Sequence, residues 1–267
     1  MNIRRENKED MKVVILAGGQ PSTISNEGEG IPKPMAQIGE RPILWHVMKE
    51  FAYYGFDEFI ICTGYKSEMI KDYFADFYLY NSDITVDLSN NTIEIHKNIS
   101  ENWKVTIIDT GLYSATGERI ARIKKYIKEE NFIVTYGDCL SDISIHELVQ
   151  AHQQAKKLAT MTITRPTGRN KLLSIDDTKN MLIKDLASVE CNNAWADANV
   201  YVFNRQVFKY LLGNYSLEDQ LFRELIKREQ FHIYKHIGFW TPVETVRDKT
   251  KMESLWNAGM APWKKWE

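Results

Sequence analysis

The chain has 267 residues, 43% hydrophobic and 26% charged, with a formal net charge of −2. That is the balance of a globular protein long enough to bury a sizeable core, without the basic stripe that nucleic acid or an anionic membrane surface requires. No stretch approaches 18 apolar residues, and the three scattered cysteines, Cys62, Cys139 and Cys191, offer neither metal-ligand spacing nor a disulfide framework.

Residues 1–10 are charged and contain no apolar signal-peptide core, so they read as a mobile tail ahead of one domain over 11–267 in a cytoplasmic protein. Val13–Leu16 is an apolar, mostly β-branched run, the pattern of a strand buried on both faces. Gly18-Gly19 follows, and Lys33 stands within Pro32-Lys33-Pro34-Met35. Strand, glycine turn and lysine fit either a phosphate cradle or a plain tight turn. The spacing matches neither a P-loop nor a dinucleotide fingerprint.

Helical periodicity over Ile43–Tyr54 and Ser67–Phe77 alternates with a strand at Glu58–Thr63. Thr85–Leu88 and Thr92–His96 alternate around Asn90-Asn91 as a hairpin. Further strands are predicted at Lys104–Asp109, Phe132–Tyr136, Ala159–Thr164, Leu182–Leu186, Asn199–Phe203 and Phe231–His236. Helices are predicted over Gly117–Ile127, Ser144–Gln154, Tyr215–Arg228 and Thr245–Asn257. This alternation implies βαβ units: an α/β, Rossmann-like, mixed but mostly parallel sheet flanked by helices, with a small β excursion. Trp256, Trp263 and Trp266 near the end suit either an interface or packing on the chain's own domain.

Leu16-Ala17-Gly18-Gly19, Pro32-Lys33-Pro34-Met35, Asp109-Thr110-Gly111, Thr135-Tyr136-Gly137-Asp138 and Gly238-Phe239-Trp240 together resemble the sugar-1-phosphate nucleotidyltransferases. The glucose-1-phosphate cytidylyltransferases are the branch most resembled, over essentially everything from Met11 onward. The resemblance implies CTP and a phosphorylated small-molecule acceptor as substrates, Mg2+ as cofactor, a role in CDP-sugar biosynthesis and a homo-oligomer. It places Leu16, Ala17, Gly18, Gly19, Ser22, Thr23, Lys33, Thr110, Gly111, Arg119 and Gly137 around the nucleotide. Lys33 and Asp138 become the catalytic pair, and Asp138 with Glu244 the metal ligands, Glu244 standing where the family has an aspartate.

Several positions depart from the family pattern. Gln20-Pro21-Ser22-Thr23 replaces a segment whose arginine clamps the triphosphate. Ser188 stands at the lysine that holds the sugar phosphate, and Asp197-Ala198-Asn199 at an Asn-Gly-Gly that meets the sugar. Arg169 is retained, with Lys171 or Lys184 as substitute phosphate ligands, so Arg169, Lys171, Ser188 and Asp197 form the expected acceptor side. These changes lead to two expectations: a cytidylyltransferase with an altered acceptor, cationic or polyol-like near Asp197, or a catalytically impaired relative that binds nucleotide as a regulatory or scaffold subunit.

Overall fold

The computed structural model describes residues 11–19, 30–98, 101–165, 172–176, 182–185 and 194–267. In chain order the first strand, β1, spans Val13–Ala17 and is buried at every position. Short strands β2 (Gln37–Ile38) and β3 (Arg41–Pro42) precede α1 (Ile43–Tyr53), after which come β4 (Glu58–Thr63) and α2 (Ser67–Ala75). The helix expected over Ser67–Phe77 is thus interrupted at Asp76, and a single further turn, α3, covers Phe77–Tyr80. The hairpin is β5 (Ser82–Asp87) with β6 (Thr92–Asn98), and β7 is Lys104–Asp109.

The next helix is shorter than its apolar period suggests: α4 covers Thr116–Arg122, and the chain tightens into a 3-10 turn over Lys124–Tyr126. Then follow β8 (Asn131–Tyr136), β9 (Cys139–Ser141), α5 (Ile145–Ala155), β10 (Ala159–Thr164), β11 (Leu172–Asp176), β12 (Leu182–Asp185) and β13 (Trp195–Asn204). Where one helix is predicted over Tyr215–Arg228, a π-helical segment at Leu217–Phe222 leads into α6 (Arg223–Lys227). The chain closes with β14 (Phe231–Lys235), β15 (Trp240–Pro242) and α7 (Val246–Asn257), the last entered through a Thr245–Asp248 capping box.

The main sheet has nine strands. Across it the order is β7, β4, β1, β8, β13, β10, β14, with β11 and β12 continuing from β13. Pairings of β1 with β4 and β8, of β4 with β7 and of β10 with β14 are parallel, while β13 runs antiparallel to β8 and β10. It follows that the carboxyl ends of β1, β4, β7, β8, β10 and β14 share one edge with the beginning of β13. In open α/β sheets that edge is where ligands bind.

Alternate side chains fill two cores. On one face Val13, Ile15, Ile61 and Val200 pack against α1, α5, α7 and Trp263; on the other Val14, Leu16, Cys62 and Tyr201 pack against α4 and the π-helical segment. Cys62 is fully buried, and burial pushes its thiol up to about 12, so it is an inert core residue.

The tryptophan-rich tail packs on its own domain. Trp263 is fully buried and stacks on Trp256, and Trp266 meets Trp45 edge-on. Their centre is His46, also fully buried: its Nε2 lies 3.0 Å from the Ile38 carbonyl and its Nδ1 3.4 Å from the Trp263 indole nitrogen. A neutral ring that donates from Nε2 and accepts at Nδ1 satisfies both contacts. Burial accordingly lowers the His46 pKa to about 4.

Below the ordinary histidine value the unfolded chain takes up a proton that the fold refuses until about pH 4, so His46 costs stability as pH falls through that window. His46→Gln keeps the Ile38 hydrogen bond and removes the titration. Its stability deficit against wild type, measured by urea unfolding, is expected to shrink by roughly 2 kcal/mol from pH 7.5 to 5. A deficit that stays constant would show that His46 does not carry this linkage.

Candidate active site

The glycine turn is set by sterics. A Cβ on Gly18 would stand 2.1 Å from Arg119 Nη1, so any larger residue here would force that guanidinium to move. Arg119 itself is 4% exposed and laces three strand ends together. Its Nη1 donates to the Thr63 carbonyl at 3.0 Å and to Thr110 Oγ1 at 2.7 Å; its Nη2 donates to the carbonyls of Gly18 and Leu112. With both terminal nitrogens engaged, Arg119 holds the glycine turn from below, and pairing with a phosphate or ribose would require it to give up these bonds. Thr110 is likewise committed, its hydroxyl donating to the Thr63 carbonyl at 2.7 Å. Gly111 takes φ +90° and donates its N–H to Asp109 Oδ1.

Lys33 begins a 3-10 turn, Lys33–Met35, whose Pro34 is buried. A Cβ on Gly137 would approach Pro34 Cγ to 3.1 Å, so this glycine lets the lysine turn pack directly on the end of β8. Lys33 Nζ is then 3.8 Å from Asp138 Oδ2, both side chains partly exposed to the cleft between them. The antiparallel pair β9–β15 starts just beyond Asp138, and the Val243 N–H donates to the Asp138 carbonyl at 2.8 Å. Glu244 is the next residue and faces Asp138 closely enough to act on its charge.

Three influences on Asp138 are the largest. Burial raises its carboxyl pKa, the Lys33 ammonium opposes that, and Glu244 adds to it. Two carboxylates that repel each other beside one lysine make a set of hard oxygen donors suited to a divalent cation such as Mg2+. Glu244 makes no ion pair with the nearby Arg247 among the described residues. No group of three or more metal-ligating side chains occurs among them either. The Cys139 thiol contacts Asp138 Oδ1 at 3.7 Å and is pushed well up by burial and that carboxylate, which leaves it unreactive.

A cleft of about 640 Å³ is lined by Leu16, Ala17, Gly18, Gly19, Lys33, Arg119 and Asp138, whereas Thr110, Gly111, Gly137 and Glu244 are not part of its lining. Tyr113, Ser114, Tyr136, Ser216 and Glu218 line it too, and sequence reasoning missed them. Ser216 and Glu218 arrive with the π-helical segment, which docks on α4: the Gly117 N–H donates to the Tyr215 carbonyl at 3.1 Å, and the Leu217 N–H to Thr116 Oγ1 at 2.9 Å. The cap pattern of Ser216 with Asp219 was readable in the sequence, but its docking partner was not.

On the acceptor side Asp197 accepts the Asn199 N–H at 2.7 Å and the Tyr201 hydroxyl. Asn199 takes φ +57°, a left-handed conformation that asparagine tolerates. Ser22, Thr23, Arg169, Lys171 and Ser188 lie outside the described residues, as does the side chain of Lys184.

A glycine turn, a lysine and paired carboxylates at the carboxyl edge of a mostly parallel sheet define a protein that handles nucleoside phosphates. The chain belongs to the nucleotidyl transferase family, whose model matches residues 12–260. It is 39% identical over 259 residues to the glucose-1-phosphate cytidylyltransferase of Salmonella typhi, covering 96% of this chain and 100% of that one. The enzyme of the same name from Salmonella typhimurium matches over the same extent. In fold it is similar to UDP-glucose pyrophosphorylase complexed with UDP-glucose, with a TM-score of 0.72, 17% identity and 93% and 99% of the two chains covered. The protein is therefore an enzyme, a sugar-1-phosphate nucleotidyltransferase.

Proposed function

We propose that this enzyme transfers a cytidylyl group from CTP to a phosphorylated small-molecule acceptor other than glucose 1-phosphate. The observation that carries the reading is the meeting of Gly18-Gly19, Lys33 and Asp138 in one cleft, in a chain so similar to named cytidylyltransferases. Backbone N–H groups of the turn and the Lys33 ammonium receive the triphosphate. An oxygen of the acceptor phosphate attacks the α-phosphorus of CTP, the bond from that phosphorus to the bridging oxygen breaks, and pyrophosphate leaves with the electron pair. Asp138 and Glu244 are the residues that would hold Mg2+, which supplies neutralisation of phosphate charge.

The altered acceptor is supported by Asp197, a carboxylate on the acceptor side where the family pattern has a neutral asparagine, so the sugar ring meets a hydrogen-bond acceptor there in place of an amide that can also donate. We also take the enzyme to act in CDP-sugar biosynthesis in the cytoplasm, as a homo-oligomer. Supporting the last is the β5–β6 hairpin, whose paired Ile84–Ile95 and Val86–Ile93 side chains are exposed. Among the described residues no helix is long and apolar enough to cross a membrane.

The test is pyrophosphate release with CTP, Mg2+ and a panel of phosphorylated acceptors. Release that requires both CTP and an acceptor supports the reading. Thermal stabilisation by CTP with no release on any acceptor would instead favour a nucleotide-binding subunit.

A further inference from the structure

The carboxyl ends of β10 and β14 and the start of β13 lie on the same sheet edge as Asp138. There Arg165 stacks on the Trp195 indole, its guanidinium carbon 4.1 Å from the ring centroid, and Lys235 Nζ lies 5.2 Å from the same ring. Two like charges share one indole.

Strand alternation fixes which way they face. Met161 and Ile163 on β10, Phe231 and Ile233 on β14, and Tyr201 and Trp195 on β13 all belong to the core beneath α4 and the π-helical segment. Arg165 and Lys235 continue that series at a spacing of two, so they lie on the sheet face that carries Ser216 and Glu218 into the cleft. β12 lies against β14 and α6 and so roofs this face. Among the described residues Arg165 makes no ion pair, and its one hydrogen bond, to the Ala194 carbonyl, is 3.4 Å long. A rigid fork of donors, oriented by an aromatic face and beside a second cation, is an anion site.

Its distance from the chemistry excludes the reacting phosphate. In the ladder Tyr201 faces Val134 on β8 and Met161 on β10, but β13 bulges beyond Tyr201 so that Ile163 faces Asp197; continued by two residues, Trp195 and Arg165 come level with Asp138, one and two strands over. From strand spacing, the backbone at Arg165 stands roughly 10 Å from that at Asp138. The transferring phosphate must sit at Asp138 and Lys33, and the ring of a hexose phosphate covers the rest of that span.

Building on the transferase reading above, we propose that Arg165 and Lys235 bind a second anionic group of the acceptor: a sugar phosphate with a further carboxylate or phosphate on the far side of its ring. The ring hydroxyls between the two ends would face Asp197, a hydrogen-bond acceptor. An acceptor anionic at both ends also accounts for a site that places a carboxylate midway and cations beyond it.

The experiment compares glucose 1-phosphate, glucuronic acid 1-phosphate and glucose 1,6-bisphosphate as acceptors with CTP and Mg2+. At least one of the doubly anionic acceptors is expected to give kcat/KM tenfold or more above glucose 1-phosphate, mostly through KM; which one does so identifies the group as carboxylate or phosphate. Arg165→Met or Lys235→Met, which keep an apolar stem on Trp195, should bring that ratio toward one, with CTP affinity by calorimetry within twofold of wild type. A wild-type ratio near one, or a preference that survives both substitutions, overturns the proposal while leaving cytidylyl transfer standing. Pyrophosphate release with none of the three, despite CTP binding, would overturn the transferase reading and this inference with it.

Discussion

Lys33→Ala is expected to weaken CTP binding on the order of 100-fold, about 2.7 kcal/mol. Lys33 is the only basic residue between Gly18 and Glu40. Of the two cationic residues that line the cleft among the described residues, Arg119 has both terminal nitrogens engaged by Thr63, Thr110, Gly18 and Leu112. Among the described residues no second charge is poised to replace the lost ammonium on the triphosphate. The substitution also leaves Asp138 beside Glu244 without its 3.8 Å cation, so two effects act in the same direction. Calorimetry with CTP and Mg2+ checks this, and unchanged affinity would show that the glycine turn and its lysine do not serve phosphate.

Asp138→Asn has the second large expected effect: turnover falls on the order of 10³-fold or more, about 4 kcal/mol, and CTP binding loses its dependence on Mg2+. The change is nearly isosteric. It leaves untouched the Asp138 carbonyl that accepts the Val243 N–H, and hence the β9–β15 pairing that brings Glu244 alongside. Thermal unfolding should therefore stay close to wild type while the metal response disappears. Mg2+ dependence that survives in the variant would make Asp138 a strand-end turn residue and put the metal elsewhere.

How far the sequence foretold this molecule varies with the kind of signal. Val13–Leu16, Glu58–Thr63 and Phe132–Tyr136 were legible as strands because burial on both faces leaves an unbroken apolar run. β9 and β15 were not, since three residues each carry no periodicity and form only because the chain brings them together. The π-helical segment at Leu217–Phe222 shares its apolar pattern with an α-helix; the extra residue per turn shows only once Gly117 is seen pressed against the Tyr215 carbonyl.

In the site, Lys33 and Asp138 were identifiable from short motifs, whereas the position of Arg119 was not. An arginine early in an amphipathic helix looks like a solvated residue, and only the convergence of three strand ends makes it a buried strut. Arg165 and Lys235 escaped notice for a related reason. They are 70 residues apart in sequence and become neighbours only through β10–β14 pairing and a tryptophan on β13.

The central claim, that this cleft joins CTP to a phosphorylated acceptor, is tested most directly by following label from CTP carrying radioactive phosphorus at the α-position. The account predicts that the label appears in a product containing both CMP and the acceptor, in step with pyrophosphate release, and only when Mg2+ and an acceptor are present. CTP that binds in the cleft while its α-label stays in CTP, or leaves as free CMP whether or not an acceptor is supplied, would contradict it.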